Sequence, residues 1–364
     1  MSVPLGASWR FSQFETLTDW PRIDPMPAFR AFRRGAPSLL ELDPATASGT
    51  LKAAAEACLG AGETVSRADA WHFFERFFRP AVWSGEASDG FLTGYYEPEL
   101  DASPVQTPRF STPLYRVPAD LMRLPPGVDL PQGLEDAQGF ALRDRRGLLA
   151  PYPDRGAIEE GWLRGRGLEL VWLADPVDAF FVHVQGSARL RLPDGRHMRV
   201  GYAAKNGHRF TAIGRLLVNE GELPLERADM EGIRRWLAAH PERAPALMRR
   251  NRSFIFFREI TDADPQAGPI GGMGVPLTPL GSLAVDRSQH AYGMPILVNA
   301  PSLQIDGSPF HRLLVAQDTG SAIVGERRGD LFVGSGDAAG RLAGAIRHPA
   351  RWTLLVPHEA GKAP

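Results

Sequence analysis

Three aspartates sit where apolar runs begin or end: Asp286 closes "SLAVD", Asp318 closes "LLVAQD" and Asp330 opens "DLFVG". Carboxyls gathered at the ends of neighbouring β segments push one another's pKa values apart, so one can hold a proton for transfer while another stays charged. The turn Asp318-Thr319-Gly320-Ser321 invites an aspartic-protease dyad. That chemistry needs two such loops, but the sequence has no second Asp-Thr-Gly or Asp-Ser-Gly, and this one lies at residue 318 of 364. The protease reading is set aside. Taken singly, Asp318 could be a turn-forming residue and Asp330 a surface partner of Arg327 or Arg328. Together they point to acid/base work.

Elements must exist to hold these groups. Ser38–Gly62 and Arg67–Phe78 carry apolar residues at helical spacing, with Ser66 as N-cap and Pro80 beyond the second helix. From Gly90, "GFLTGYYEPELDAS" reads as a short strand ending in turn residues. Between Ser111 and Asp154 a stretch rich in Pro, Gly and Asp reads as irregular connection. The alternation from Leu168 to Tyr202 suggests about four short strands, with Asp194-Gly195 as a hairpin turn. "TAIGRLLVNEGELP" and "DMEGIRRWLAAHPERAPALMRRN" are helical. After Asn251, six β segments follow with one short helix, "DAAGRLAGAIRHP", which favours a closed β structure over a doubly wound sheet.

Composition narrows the function. With 41 basic and 42 acidic residues the net charge is -1, which gives no electrostatic footprint for nucleic acid, so no nucleic-acid partner is expected. The lone Cys58 reads as a buried helix residue. "GSGDAAG" fits a nucleotide loop poorly, because its third glycine is displaced and no acidic residue follows at the expected distance. No HExxH or paired-cysteine motif is present, so neither a metal nor any other cofactor is expected. The N-terminus shows no signal-peptide pattern, and no apolar run approaches the roughly 18 residues of a membrane span.

"AVD", "DTGSAIVG" and "RGDLFVGSG" resemble the three-aspartate domain of the MltA-type membrane-bound lytic murein transglycosylases. "FLTGYYEPEL", "VHVQGSARLRLPDG", "GYAAKNGHRFTAIGRLL", "NRSFIFFRE" and "GGMGVPLTPLGSLAVD" are similar to that family in the same order, so the likeness covers roughly residues 85 to 357. The resemblance implies a mainly β fold: a double-psi β-barrel built from residues 1–108 and 250–364, including the N-terminal helices. Residues 109–249 would form an inserted β-rich substrate-groove domain. It implies a peptidoglycan lytic exotransglycosylase that cleaves the β-1,4 bond between N-acetylmuramic acid and N-acetylglucosamine, leaving 1,6-anhydro ends. The family's catalytic aspartate aligns with Asp330, with Asp318 and Asp286 beside it; Asp318 as the acid/base stays open. Thr93, Tyr95 and Tyr96 resemble the substrate-lining stretch, one tyrosine facing the core because neighbours on a strand point oppositely. Gln185, Gly186 and Ser187 could meet N-acetyl groups, His183 reads as structural, and Lys205 and Asn206 as turn residues. Peptidoglycan strands are the implied partner, with cell-wall synthesis or division proteins as further candidates, for a monomer in the periplasm or at the outer membrane of a Gram-negative bacterium. A non-catalytic peptidoglycan-binding module and a β-glycan hydrolase remain the alternatives.

Overall fold

The computed structural model describes residues 6–42, 48–62, 64–85, 89–125, 133–134, 137–261 and 267–358. Two compact units are present, Met1–Tyr96 with Asp264–Gly334 and Ala338–Pro364, and Glu97–Ala263 with Ser335–Asp337. Each is described by itself.

Six strands close the barrel of the first unit: β1 (Gly90–Glu97), β2 (Ser282–Val285), β3 (Pro295–Ile305), β4 (Ser308–Asp318), β5 (Arg328–Ser335) and β6 (Arg347–Pro357). Their order is β6-β3-β4-β2-β5-β1, and β1 returns to β6 through Thr93 opposite Arg347 and Gly90 opposite Ala350. The closed β structure expected from the strand-rich C-terminal third is therefore present. Strand β2 is buried at every position, as a short strand flanked on both sides must be, and it runs parallel to β4 but antiparallel to β5. The β3–β4 hairpin turns at Asp306-Gly307, both with positive φ (53° and 74°), the turn that Asp-Gly favours because it matches the strands' own twist.

Three helices pack on this barrel: α1 (Met26–Glu41), α2 (Gly49–Gly60) and α3 (Arg67–Phe77). Phe29, Phe32, Leu39, Leu51 and Phe74 meet Leu297, Leu313, Val315 and Leu355 in one apolar cluster. Burying a side chain such as Phe32 contributes about 1.5–3 kcal/mol. Ser66 caps α3 as expected, and its reciprocal bond with Asp69 completes a capping box. The first helix differs from expectation. It starts twelve residues before Ser38, accommodates Pro37 and ends at Glu41, while residues 43–47 lie outside the described residues. Cys58 is fully buried in α2.

The second unit holds a six-stranded sheet in the order Ile255–Glu259, His197–Lys205, Ser187–Arg191, Glu99–Ser103, Glu169–Leu173 and Thr112–Tyr115. Glu99–Ser103 and Ile255–Glu259, on the outer sides of the divisions expected at 109 and 250, are members of this sheet, so the structural divisions fall at Glu97 and Asp264. The stretch read as irregular contributes Thr112–Tyr115 and a small sheet of Leu121–Arg123, Phe140–Arg143 and Leu149–Ala150; residues 126–132 and 135–136 of it lie outside the described residues. The Asp194-Gly195 hairpin is present, pairing Ser187 with Gly201 and Arg191 with His197.

One element departs from the strand reading. Pro176–Gln185 is a helix, begun by the Asp175 carboxylate accepting from the Val177 N–H at 2.8 Å and ended by Gly186 at φ 84°. Ala179 to His183 are all buried, so no polar face marks the helical period and the run can be mistaken for a strand.

Candidate active site

The pairing of β2 sets the geometry. Ala284 lies opposite Asp318 on the parallel side and opposite Asp330 on the antiparallel side, so the two aspartates flank a single residue, roughly two strand spacings of about 4.8 Å apart along the sheet. Both side chains are partly exposed. On β1, Thr93 and Tyr95 share a face because side chains alternate along a strand, and each reaches one carboxylate. Thr93 Oγ1 donates to Asp330 Oδ1 at 2.6 Å, and the Tyr95 hydroxyl donates to Asp318 Oδ2 at 2.6 Å.

The two carboxyls differ in what surrounds them. Asp318 accepts three hydrogen bonds, from Tyr95 on Oδ2 and from the Gly272 and Thr319 amides on Oδ1 at 2.7 and 2.9 Å. The Thr319 hydroxyl donates to the Val285 carbonyl, which fastens the Asp-Thr-Gly turn to the end of β2. Asp330 accepts one bond, on Oδ1, and its Oδ2 meets no donor among the described residues. Arg328 does not pair with Asp330 directly. Its Nη2 donates to Thr93 Oγ1 at 2.8 Å, and Nη1 donates to the Gly329 carbonyl.

Burial of the Asp330 carboxyl raises its pKa to about 6, opposed by the Thr93 hydroxyl and the Arg328 charge and reinforced by the Asp318 charge. Burial also raises Asp318, against the pull of its three donors. Tyr95 is held well above the ordinary range by burial and by the neighbouring carboxylates, so it remains a donor. A half-open carboxyl that titrates near neutrality beside a second carboxyl is fit for proton transfer.

Residues 91–258 match the "MltA specific insert domain" and residues 281–356 the "3D domain". The membrane-bound lytic murein transglycosylase A of Escherichia coli K12 is 32% identical over 299 residues, which span 79% of this chain and 72% of that protein. The chain belongs to the MltA family. The Vibrio cholerae member is 36% identical over 220 residues, 58% of either chain. Among solved structures, a membrane-bound lytic murein transglycosylase from Agrobacterium tumefaciens is 41% identical, with a TM-score of 0.85 and coverage of 96% of this chain and 98% of that one. MltA from Neisseria gonorrhoeae aligns with a TM-score of 0.80 at 32% identity, covering 99% and 95%. E. coli MltA with bound chitohexaose aligns at 0.66 and 26%, covering 91% and 88%.

The other residues singled out from the MltA motifs have different surroundings. Asp286 accepts from the Gly325 amide at 2.7 Å and from both the amide and hydroxyl of Ser288. Burial would raise its pKa, but these donors and His290 win and keep it below the usual carboxylate range, so Asp286 ties two loops together as an anion. Tyr96 points away from Thr93 and Tyr95, is 8% exposed, and leaves no room for a side chain at Gly340. In the second unit, Gln185 ends its helix, Gly186 is the left-handed cap and Ser187 is buried at the start of a strand. His183 is buried there, accepting from the Ile255 amide at 3.2 Å, and burial keeps its ring well below the usual histidine range. Asn206 is buried too, joining the Pro153 and Arg252 carbonyls and accepting from the Phe254 amide.

Gly272, Tyr292 and Arg328 were not foreseen as members of the site. A Cβ on Gly272 would lie 2.3 Å from the Tyr292 hydroxyl and 3.4 Å from Asp318 Oδ1, so only glycine lets this amide reach the carboxylate. The run "GGMG" carried that signal. Arg287 covers the Tyr292 ring at 3.7 Å.

Proposed function

We propose that this protein is a lytic transglycosylase that cleaves the β-1,4 bond between N-acetylmuramic acid and N-acetylglucosamine in peptidoglycan. The observation that carries this reading is the asymmetry of the two carboxyls. Asp330 has one oxygen free and a pKa near 6, while Asp318 has both oxygens engaged. A hydrolase would need a second available carboxyl to activate water or attack C1. An enzyme whose nucleophile is part of the substrate needs one group used twice, because the tethered hydroxyl is already in reach.

In that mechanism, protonated Asp330 gives its Oδ2 proton to the glycosidic oxygen as the C1–O bond breaks, releasing the N-acetylglucosamine hydroxyl. Positive charge develops at C1 of the muramic acid, facing the Asp318 anion. The C6 hydroxyl oxygen then bonds to C1 and its proton passes to Asp330, which is left as it began. The 1,6-anhydro ring forms and no water is consumed. Thr93 and Tyr95 position the two carboxyls, and Asp286 holds the loops that follow β2 and precede β5. Gln185, in the second unit, is a candidate contact for an N-acetyl group; the burial of Ser187 and the cap geometry of Gly186 favour structural duties for those two. The resemblance to membrane-bound relatives supports action on murein in the cell envelope; no described helix is long and apolar enough to cross a membrane.

Mass spectrometry of products from purified murein tests the reading. Anhydro ends are expected. Free reducing ends would identify a hydrolase instead, and binding without release would identify a non-catalytic module.

A further inference from the structure

The Arg328 guanidinium can only donate hydrogen bonds. Its Nη2 meets Thr93 Oγ1 at 2.8 Å, so the Thr93 oxygen is the acceptor in that contact and its own hydrogen is free to point elsewhere. At 2.6 Å from Thr93 Oγ1 lies Asp330 Oδ1. One direction satisfies the chain: Arg328 donates to Thr93, and Thr93 donates to Asp330. We propose that Arg328 is a positioning residue that fixes the direction of the Thr93 hydroxyl, so that Oδ1 of Asp330 always accepts and Oδ2 alone carries the proton exchanged with substrate.

This assignment rests on the transglycosylase reading for its kinetic consequence, but its geometry concerns the free protein. Without Arg328, the Thr93 hydroxyl could turn and accept from a proton on Oδ1, which would place the acid proton on the oxygen already engaged by Thr93 rather than on Oδ2. With Arg328 present, that arrangement would have the Thr93 oxygen accept from both neighbours and leave its own hydrogen directed at neither, with Oδ2 bare, so the donating direction is favoured. The sequence gives Arg328 no direct role: it precedes Asp330 by two residues on the same strand, and no ion pair joins them. Its partner lies 235 positions away on β1. Arg327, its neighbour, stacks on Trp83 at 4.1 Å and takes no part.

The charged and titratable groups around Asp330 are Arg328 on its own strand, Asp318 at the end of β4 and Tyr95 on β1. Arg328 and the Thr93 hydroxyl favour the ionised carboxyl, and Asp318 disfavours it. Removing either member of the relay should therefore raise the pH at which Asp330 loses its proton. Catalysis starts from the protonated acid, so the alkaline limb of the rate should move to higher pH.

The test uses the full chain and two readouts. The first is a ¹³C titration of aspartate carboxyls, with the Asp330 signal assigned by its loss in Asp330→Asn; it needs no substrate. The second is the pH dependence of anhydro-product release from murein. Thr93→Val and Arg328→Gln are each expected to raise the Asp330 midpoint by about one pH unit, to move the alkaline limb by the same amount, and to lower the maximal rate. Thr93→Ser keeps the hydroxyl and should restore the wild-type midpoint. In the Thr93→Val background, Arg328→Gln should shift the midpoint less than it does alone, because the relay is already cut. An Arg328→Gln protein that folds, loses rate and keeps the wild-type midpoint overturns the proposal. So does equal shift by Arg328→Gln with and without Thr93. If Arg328→Gln does not fold, Thr93→Val against Thr93→Ser still decides whether the hydroxyl acts on Asp330, and equal midpoints reject it. If wild-type protein releases no anhydro product while the ¹³C midpoints shift as stated, the transglycosylase reading fails and the relay stands.

Discussion

Glu97 and Asp330 are both carboxylates with arginines nearby, and their surroundings lead to opposite behaviour. In the second unit, Glu97 is fully buried and takes Arg189 at 2.8 Å, Arg199 at 3.0 Å and the Ser335 hydroxyl at 2.8 Å. Its charge is answered directly by two cations, and it anchors the strands that carry them. In the barrel, Asp330 has one hydroxyl, while its nearest arginine is spent on that hydroxyl and on a carbonyl. Glu97, held by two arginines, is fixed in a structural role; Asp330, whose pKa is lifted by burial and whose neighbouring arginine bonds elsewhere, can hold a proton and pass it on. Both residues lie within or against the same motif, since "TGYYE" sends Thr93 and Tyr95 to the aspartates, Tyr96 to the core and Glu97 to the ion pairs.

The largest effect expected from breaking this contrast is at Asp330. Asp330→Asn removes the transferable proton at constant size, and anhydro-product release should fall by about 10⁴-fold, at or beyond the upper range for an acid/base group. Product release near the wild-type rate would move the role to Asp318. The same variant should be more stable than wild type near pH 7. A folded-state pKa raised to about 6 gives stability that is present below the unfolded value of about 3.9 and lost as pH rises through 6, and the amide escapes that loss. Thermal melts at pH 4 and pH 7 should show a gain only at the higher pH.

Glu97→Ala should act through folding alone. Leaving two arginines without their shared anion costs about 3–5 kcal/mol, so urea denaturation should show a lower midpoint. Any catalytic loss should follow the unfolded fraction. A variant with wild-type stability and reduced turnover would place Glu97 in the chemistry and dissolve the comparison.

Asp318→Asn should reduce the rate by roughly 10-fold, less than Asp330→Asn, as a charge is lost but the acid remains. Its charge helps hold the Asp330 pKa up, so its loss should move the alkaline limb of the pH–rate profile to lower pH, opposite to the relay variants. A limb that stays in place would show that Asp318 does not act on Asp330 electrostatically. The smallest effect lies away from both carboxylates: Ser66→Ala removes the capping box of α3 and should cost about 1 kcal/mol with turnover unchanged.

Much of the fold was legible because the signals were local. Apolar runs broken by glycine and proline marked β3 to β6, Ser66 marked a helix start, and alternation along β1 separated Tyr95 from Tyr96. The aspartates were legible as a group because each sits at a strand end. Their partners were not. Arg328 meets Thr93 across 235 positions and Gly272 meets Asp318 across 46, and no local pattern encodes such meetings. The helix Pro176–Gln185 was missed for another reason: with its middle buried all round, only Asp175, Pro176 and Gly186 announced its ends.

The closure of the barrel has a consequence for synthesis. Strand β6 pairs with β1, about 250 residues earlier in the chain, and also with β3 and with Phe78–Trp83. Thr93 is one of the residues in that seam, opposite Arg347. A growing chain therefore carries all three aspartates before it has the strand that fixes Thr93 in place, and closing so long a loop is slow compared with forming helices. The Thr93–Asp330 contact is thereby completed in its final setting only once β6 has joined β1.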